Sequence, residues 1–175
     1  DSGTLNLGRG TIIEADHGIV INKSGTVNIK GGTINSEGCG ITNYYGTFNI
    51  EDGSISGAMY NGIKNYYGTV VISGETLVET GSENYAAIEN GAVVTIENGV
   101  FKGAKTIEVY ENYMTGELGT VLIYGGEFPD GFVIEGTTAK EALAEGINFY
   151  AENGDIIRLT DAQTEINESV IAGIV

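Results

Sequence analysis

The chain has 175 residues, 28 of them glycine and one proline, and its eight basic residues against 24 acidic ones leave a formal charge of −16. That balance argues against nucleic acid and anionic membrane surfaces as partners, because phosphates would meet net repulsion. The length suits one domain with its own core, no apolar run is long enough to insert into a bilayer, and a lone cysteine, Cys39, permits no internal disulfide.

Residues 1–24 introduce a repeating unit in a degenerate form, as terminal repeats usually do. The chain begins at Asp1 and reads as part of a longer protein whose targeting segment lies elsewhere. Arg9 stands where later units carry a glycine. His17 beside Asp16 invites a catalytic reading, but neighbours in sequence do not make a dyad, and the pattern places no serine or cysteine with them. The non-catalytic reading is preferred for both.

Residues 25–90 hold the unit in its clean form, as in Gly25-Thr26-Val27-Asn28-Ile29-Lys30-Gly31-Gly32-Thr33-Ile34. One apolar position falls at Leu7, Ile29, Ile50, Ile72, Ile96 and Ile123, in steps of 22, 21, 22, 24 and 27 residues. The position two before it is Leu5, Val27, Phe48, Val70, Val94 and Val121. The position five after it is Ile12, Ile34, Ile55, Leu77, Phe101 and Phe128. A third column follows Ile19, Ile41 and Ile63, and continues through Ile88 and Ile107. Self-similarity near 20 residues is the signature of a solenoid. The alternation has period two and the runs are too short for helices, so each period reads as three short strands.

The corners of this middle region carry the candidate chemistry. An asparagine recurs after the third column, at Asn43, Asn65 and Asn90, where stacked side chains would satisfy turn amides. The pairs Tyr44-Tyr45 and Tyr66-Tyr67 take equivalent places one period apart, and Tyr60 and Tyr85 add aromatic surface elsewhere. Tyrosines on one side of a rod are rigid, amphipathic contact groups that pack on sugar faces. Alternatively, one ring of each pair caps the core and the other is merely exposed. Lys30 and Glu51 fall at one outward position, and Thr42, Lys64, Glu89 and Glu108 share another. Glu89 and Glu108 are the candidate ligands should a calcium ion bind, although no EF-hand loop or glycine-aspartate nonapeptide is present. Cys39 reads as a small packed side chain.

Residues 91–136 lengthen the period. The insert Tyr110-Glu111-Asn112-Tyr113-Met114-Thr115-Gly116-Glu117 reads as a loop projecting from one corner, and its Tyr110 and Tyr113 join the candidate ligand-binding residues. Gly125-Gly126-Glu127-Phe128 closes the last regular unit. Residues 137–175 break the pattern. Thr138-Ala139-Lys140-Glu141 reads as a capping box opening a short helix, and Ile147–Tyr150 with Asp155–Leu159 as strands of a hairpin. This segment is expected to cap the open end of the solenoid.

The expected fold is therefore all-β: a right-handed parallel β-helix of about six rungs over residues 1–136, roughly 29 Å long, with a cap over 137–175 in the same domain. The clean units resemble the repeats of large surface proteins of Gram-positive, often gut-dwelling bacteria. Gly125-Gly126-Glu127-Phe128, followed by Ala142-Leu143-Ala144-Glu145-Gly146 and Tyr150, is similar to the way those arrays end. The resemblance implies a pectin-lyase-like β-helix and an extracellular place on the cell surface. It also implies a binding or spacing role.

Enzymes of the implied fold cleave acidic polysaccharides, but the residues for that are poorly placed. A lyase needs calcium carboxylates and a basic residue beside the uronate. Lys64 is the one well-placed base, and Glu89 would keep it protonated. Glu51 and Asp52 are consecutive, so a strand would point them apart, and no facing carboxylate pair emerges for hydrolysis. The expectation is a non-catalytic, monomeric module that takes a glycan or a host or cell-surface protein as partner through Tyr44, Tyr45, Tyr66, Tyr67, Tyr110 and Tyr113. The alternative is a structural spacer, and polysaccharide cleavage stands behind both.

Overall fold

A computed structural model describes residues 3–117 and 119–128, together with the backbone of 148–149. Within these residues every regular element is a strand, and the paired strands run parallel. The architecture is a parallel β-solenoid.

The column at Leu7, Ile29, Ile50, Ile72, Ile96 and Ile123 forms one continuous register, each residue paired with the next. Its five steps define about five turns, starting at Thr4, Thr26, Thr47, Thr69 and Val93, with Thr120 opening the next level. Ile29, Ile50, Ile72, Ile96 and Ile123 are all buried, with Val27, Phe48, Val70, Val94 and Val121 beside them. No single turn can cover such side chains. Each does so only against its neighbours, at about 1.5–3 kcal/mol per fully buried large aliphatic group. The third face is a five-stranded sheet in which Ile19, Ile41, Ile63, Ile88 and Ile107 lie in register.

Two strands run on through a corner: Thr26–Ser36 and Thr47–Gly57 each supply both the first and second faces. Their mutual register shifts at Lys30, so the corner is a bulge within a strand and not a separate turn. This shift corrects one expectation. Lys30 pairs with Asp52 in the ladder, and its ammonium reaches Glu51 at 3.5 Å only by leaning across.

The second face holds a further correction. Ile34 pairs with Ile13, not Ile12, and Ile55 pairs with Val78, not Leu77. Ile12 is 70% exposed, whereas Ile13 packs against the core and Val78 is buried. The reason is a corner one residue longer. Five residues separate Leu7 from Ile13 and Ile72 from Val78, against four between Ile29 and Ile34. The longer corners use a left-handed glycine, Gly10 at φ 85° or Gly74 at φ 63°, while the shorter ones use Gly31 or Gly53 at φ 129° or 111°. A one-residue slip exchanges inward for outward side chains, and the core face decides which register survives.

Beyond the last described corner, the two-residue strand Asn148–Phe149 pairs in parallel with Leu122–Ile123 and continues the first face. The expected cap helix and the hairpin partner at 155–159 lie outside the described residues.

Candidate functional site

The site is built on the corner between the third face and the next turn. There the motifs Asn43-Tyr44-Tyr45-Gly46 and Asn65-Tyr66-Tyr67-Gly68 lie one above the other. Asn43 and Asn65 end their strands on the inward face, and the two tyrosines after each lie in the bend, where both turn outward. Asn43, Asn65 and Asn90 are fully buried and bonded into a ladder. The Nδ2 of Asn43 donates to Oδ1 of Asn65 at 3.0 Å, and that of Asn65 to Oδ1 of Asn90 at 2.8 Å. Each also closes its own corner. Asn43 Nδ2 donates to the Gly46 carbonyl, and its Oδ1 accepts from the Gly46 N–H. Buried amides require such partners, and the corner geometry repeats because they find them in each turn.

Outside this ladder the rings stack. Tyr44 and Tyr66 lie 4.6 Å apart and 3° from parallel, and Tyr45 and Tyr67 lie 5.1 Å apart at 21°. The next corner, Asn90-Gly91-Ala92, is one residue shorter and has no tyrosine. Its place is filled from the following turn. The Tyr110 ring lies over Gly91, where a methyl group would collide with it, and meets Tyr66 edge-on at 6.4 Å. Its hydroxyl donates to the Asn65 carbonyl at 3.3 Å. Tyr113 follows, tilted against Tyr110 at 6.3 Å.

The structure thus brings all six expected tyrosines into one strip. It also modifies the expectation of open sugar platforms. Tyr44, Tyr66, Tyr67 and Tyr110 are only partly exposed, and stacking turns most of their faces toward one another; Tyr45 and Tyr113 are 49% and 88% exposed. Nor does the insert project freely. Asn112 is buried, donates to the Gly91 carbonyl at 3.0 Å, and accepts from the Met114 and Thr115 amides. Met114 swings back until its sulfur accepts from the Tyr45 hydroxyl at 3.8 Å, a contact 69 residues apart in sequence.

The column Thr42, Lys64, Glu89, Glu108 runs beside the strip in the expected register. Lys64 donates to Glu89 at 2.8 Å, with both side chains mostly covered, and its ammonium stands 5.1 Å from the Tyr66 ring centre. A pair so covered is more than ordinary surface pairing. Burial, the largest influence, opposes the ammonium. The Glu89 hydrogen bond and charge, with Tyr66, still carry the Lys64 pKa above the ordinary lysine value. Burial likewise raises the Tyr66 and Tyr110 phenols, and the Glu89 charge adds to it.

Glu89 and Glu108 are register neighbours, and each carboxylate already has a lysine, Lys64 at 2.8 Å or Lys105 at 3.6 Å. Among the described residues no cluster of three or more His, Cys, Asp or Glu side chains forms a metal cage. Cys39 is half-buried, and burial pushes its thiol up, away from a reactive thiolate. Asp16 and His17 are exposed at another corner, with no hydrogen bond between them. Arg9 reaches Asp52 at 3.8 Å on the exposed surface, and Lys30 takes the neighbouring Glu51.

Two features of the corner lie outside the columns of apolar residues, asparagines and paired tyrosines. One is the return of Tyr110 over Gly91, whose signal is the missing tyrosine in Asn90-Gly91-Ala92. The other is the register column Thr4, Thr26, Thr47, Thr69 on the adjacent flank. It was visible in the sequence as the residue before each inward apolar pair. Comparison of the chain with family models, with curated proteins and with solved structures finds no match in any of the three.

Proposed function

We propose that the chain is a non-catalytic binding module of an extracellular bacterial surface protein, and that it holds a glycan through its tyrosine corner. The observation that carries this reading is the gathering of Tyr44, Tyr45, Tyr66, Tyr67, Tyr110 and Tyr113, drawn from two corners and an insert, into one strip. A rod needing only stiffness has no use for an insert that restores an interrupted aromatic column. Pectin-lyase-like kinship and a Gram-positive, cell-surface origin belong to the same proposal, and a host surface protein is the other partner it admits. Calcium at Glu89 and Glu108 would require Lys64 or Lys105 to give up its carboxylate. Lys64, protonated and paired, is unsuited to abstract a proton, which weighs against lyase chemistry.

A spacer is the second reading, favoured by ring-on-ring stacking that covers much of the aromatic area. The test is retention of the protein on a glycan array and on insoluble polysaccharides, with and without calcium. Retention supports the binding module. Failure on every glycan and host protein moves the conclusion to the spacer, and release of unsaturated oligouronides would establish a lyase.

A further inference from the structure

We infer that the free face of Tyr45 floors a subsite for one neutral pyranose ring; the inference rests on the glycan-binding function proposed above and gives it a place. The stack has a direction. Tyr67, one turn on, covers one face of Tyr45. One turn back, the chain carries Asn22-Lys23-Ser24 and no aromatic residue, so no ring covers the other face. Beside it is a shallow pocket of about 340 Å³, lined by Tyr45, Thr4, Ser24, Thr26 and Thr47 together with Gly3 and Gly25. Its size is at the small end of ligand sites, which run from about 300 to 1,000 Å³ and so suits a single sugar unit better than a long chain.

The lining specifies the chemistry. It contains no charged side chain, in a protein of formal charge −16. A uronate or sulfated sugar would find no cation in the lining itself, the neighbouring Lys23 lining only the adjoining pocket, and would meet the repulsion of the chain's net negative charge. The four hydroxyls make no hydrogen bond to another described residue, so their donors and acceptors remain for a ligand. Thr4, Thr26 and Thr47 are register partners on successive turns. Their hydroxyls therefore repeat at about 4.8 Å along one wall, the spacing between parallel strands. A neutral pyranose offers a matching pair of surfaces: a C–H face for the phenol ring and a rim of hydroxyls for the threonine wall. The Met114 sulfur on the Tyr45 hydroxyl holds the platform from its outer edge and leaves the ring face free.

The experiment uses the whole chain against soluble β-1,4-linked gluco-, manno- and xylo-oligosaccharides, with oligogalacturonate as the charged control. Dissociation constants would be measured by titration calorimetry. The wild type is expected to hold at least one neutral oligosaccharide and to ignore oligogalacturonate. Tyr45→Leu should weaken that binding about tenfold or more, while Tyr45→Phe, which keeps the ring, should stay within about twofold. Thr47→Val, which removes one hydroxyl at constant shape, should cost about threefold to tenfold. Far-UV circular dichroism should stay put in all three variants, because these side chains lie outside the core, and the urea midpoint should fall modestly in Tyr45→Leu, which gives up its stacking on Tyr67. Neutral-glycan binding that survives Tyr45→Leu undiminished overturns the subsite and leaves the glycan-binding function standing. Binding of oligogalacturonate alone overturns the neutral class. A wild type that holds none of the probes overturns the function and the subsite together.

Discussion

Two columns share one corner of the solenoid: asparagines inside it and tyrosines outside. Both arise from the same Asn-Tyr-Tyr-Gly motif, yet they tolerate change differently. The inner column persists at Asn90 even where the corner shortens by a residue, and Asn90 re-forms its bonds there with the Ala92 amide and the Ala92 and Thr120 carbonyls. It ends only where apolar Ile21 and Val109 take the same register position. The outer column lapses at Gly91 and is restored by Tyr110 from another turn. A buried amide must be satisfied locally in each turn or the turn is lost. A half-exposed ring needs only contact area, and any part of the chain within reach can supply it.

The contrast is tested most severely at Asn65. Replacing it by leucine removes the bonds to Asn43 and Asn90 and takes the amide donor away from the Gly68 and Val93 carbonyls. The expected loss is about 3 kcal/mol or more in urea-unfolding free energy. A loss below about 1 kcal/mol would mean that the ladder merely decorates an apolar stack.

Lys64 lies between the two columns, and Lys64→Met leaves Glu89 without its cation. The expected cost is about 1–2 kcal/mol at neutral pH, less than for a fully buried pair because both groups keep some exposure. The pH dependence has a definite sign. A pKa raised by folding contributes stability that is complete below the unfolded lysine value, about 10.4, and is lost as pH rises through the folded value. Raised Tyr66 and Tyr110 phenols act in the same direction from about pH 10 upward. Urea midpoints should therefore fall steeply above about pH 10 in the wild type and more gently in Lys64→Met. Parallel slopes would remove the ion pair from the account.

At Gly91 the outer column is tested alone. Gly91→Ala pushes the Tyr110 ring away while leaving Asn90 bonded. It should cost about 1 kcal/mol, change the near-ultraviolet dichroism and leave the far-ultraviolet spectrum intact. Alkaline absorbance titration should show one tyrosine ionising earlier than before, since Tyr110 loses the burial that raises it. The smallest effect belongs to the exposed pair at the opposite corner. Lys30→Ala should change stability by no more than about 0.5 kcal/mol by thermal unfolding, and less still in high salt.

Much of this corner was legible beforehand, because stacking repeats one decision many times. The steps from Leu7 to Ile123 and the recurrence of Asn43, Asn65 and Asn90 carry their own alignment. Ile12 and Leu77 misled, since a fixed offset of five ignores the extra residue that Gly10 and Gly74 fold into their corners. The stacked tyrosine pairs were placeable, but their exposure was not. Whether a ring lies against its neighbour or stands clear depends on side-chain angles that periodicity does not contain.

By itself the sequence determined a parallel β-solenoid with an Ile/Val/Phe core and an asparagine ladder, because period-two alternation within a repeat near 20 residues leaves few other ways to bury those side chains. Tertiary structure alone decided that Tyr110 returns over Gly91, that Met114 meets Tyr45, and that Tyr45 keeps one face open beside a row of threonines. These contacts join residues up to 69 positions apart. They are selected by shape and reach across turns, which a local pattern does not encode.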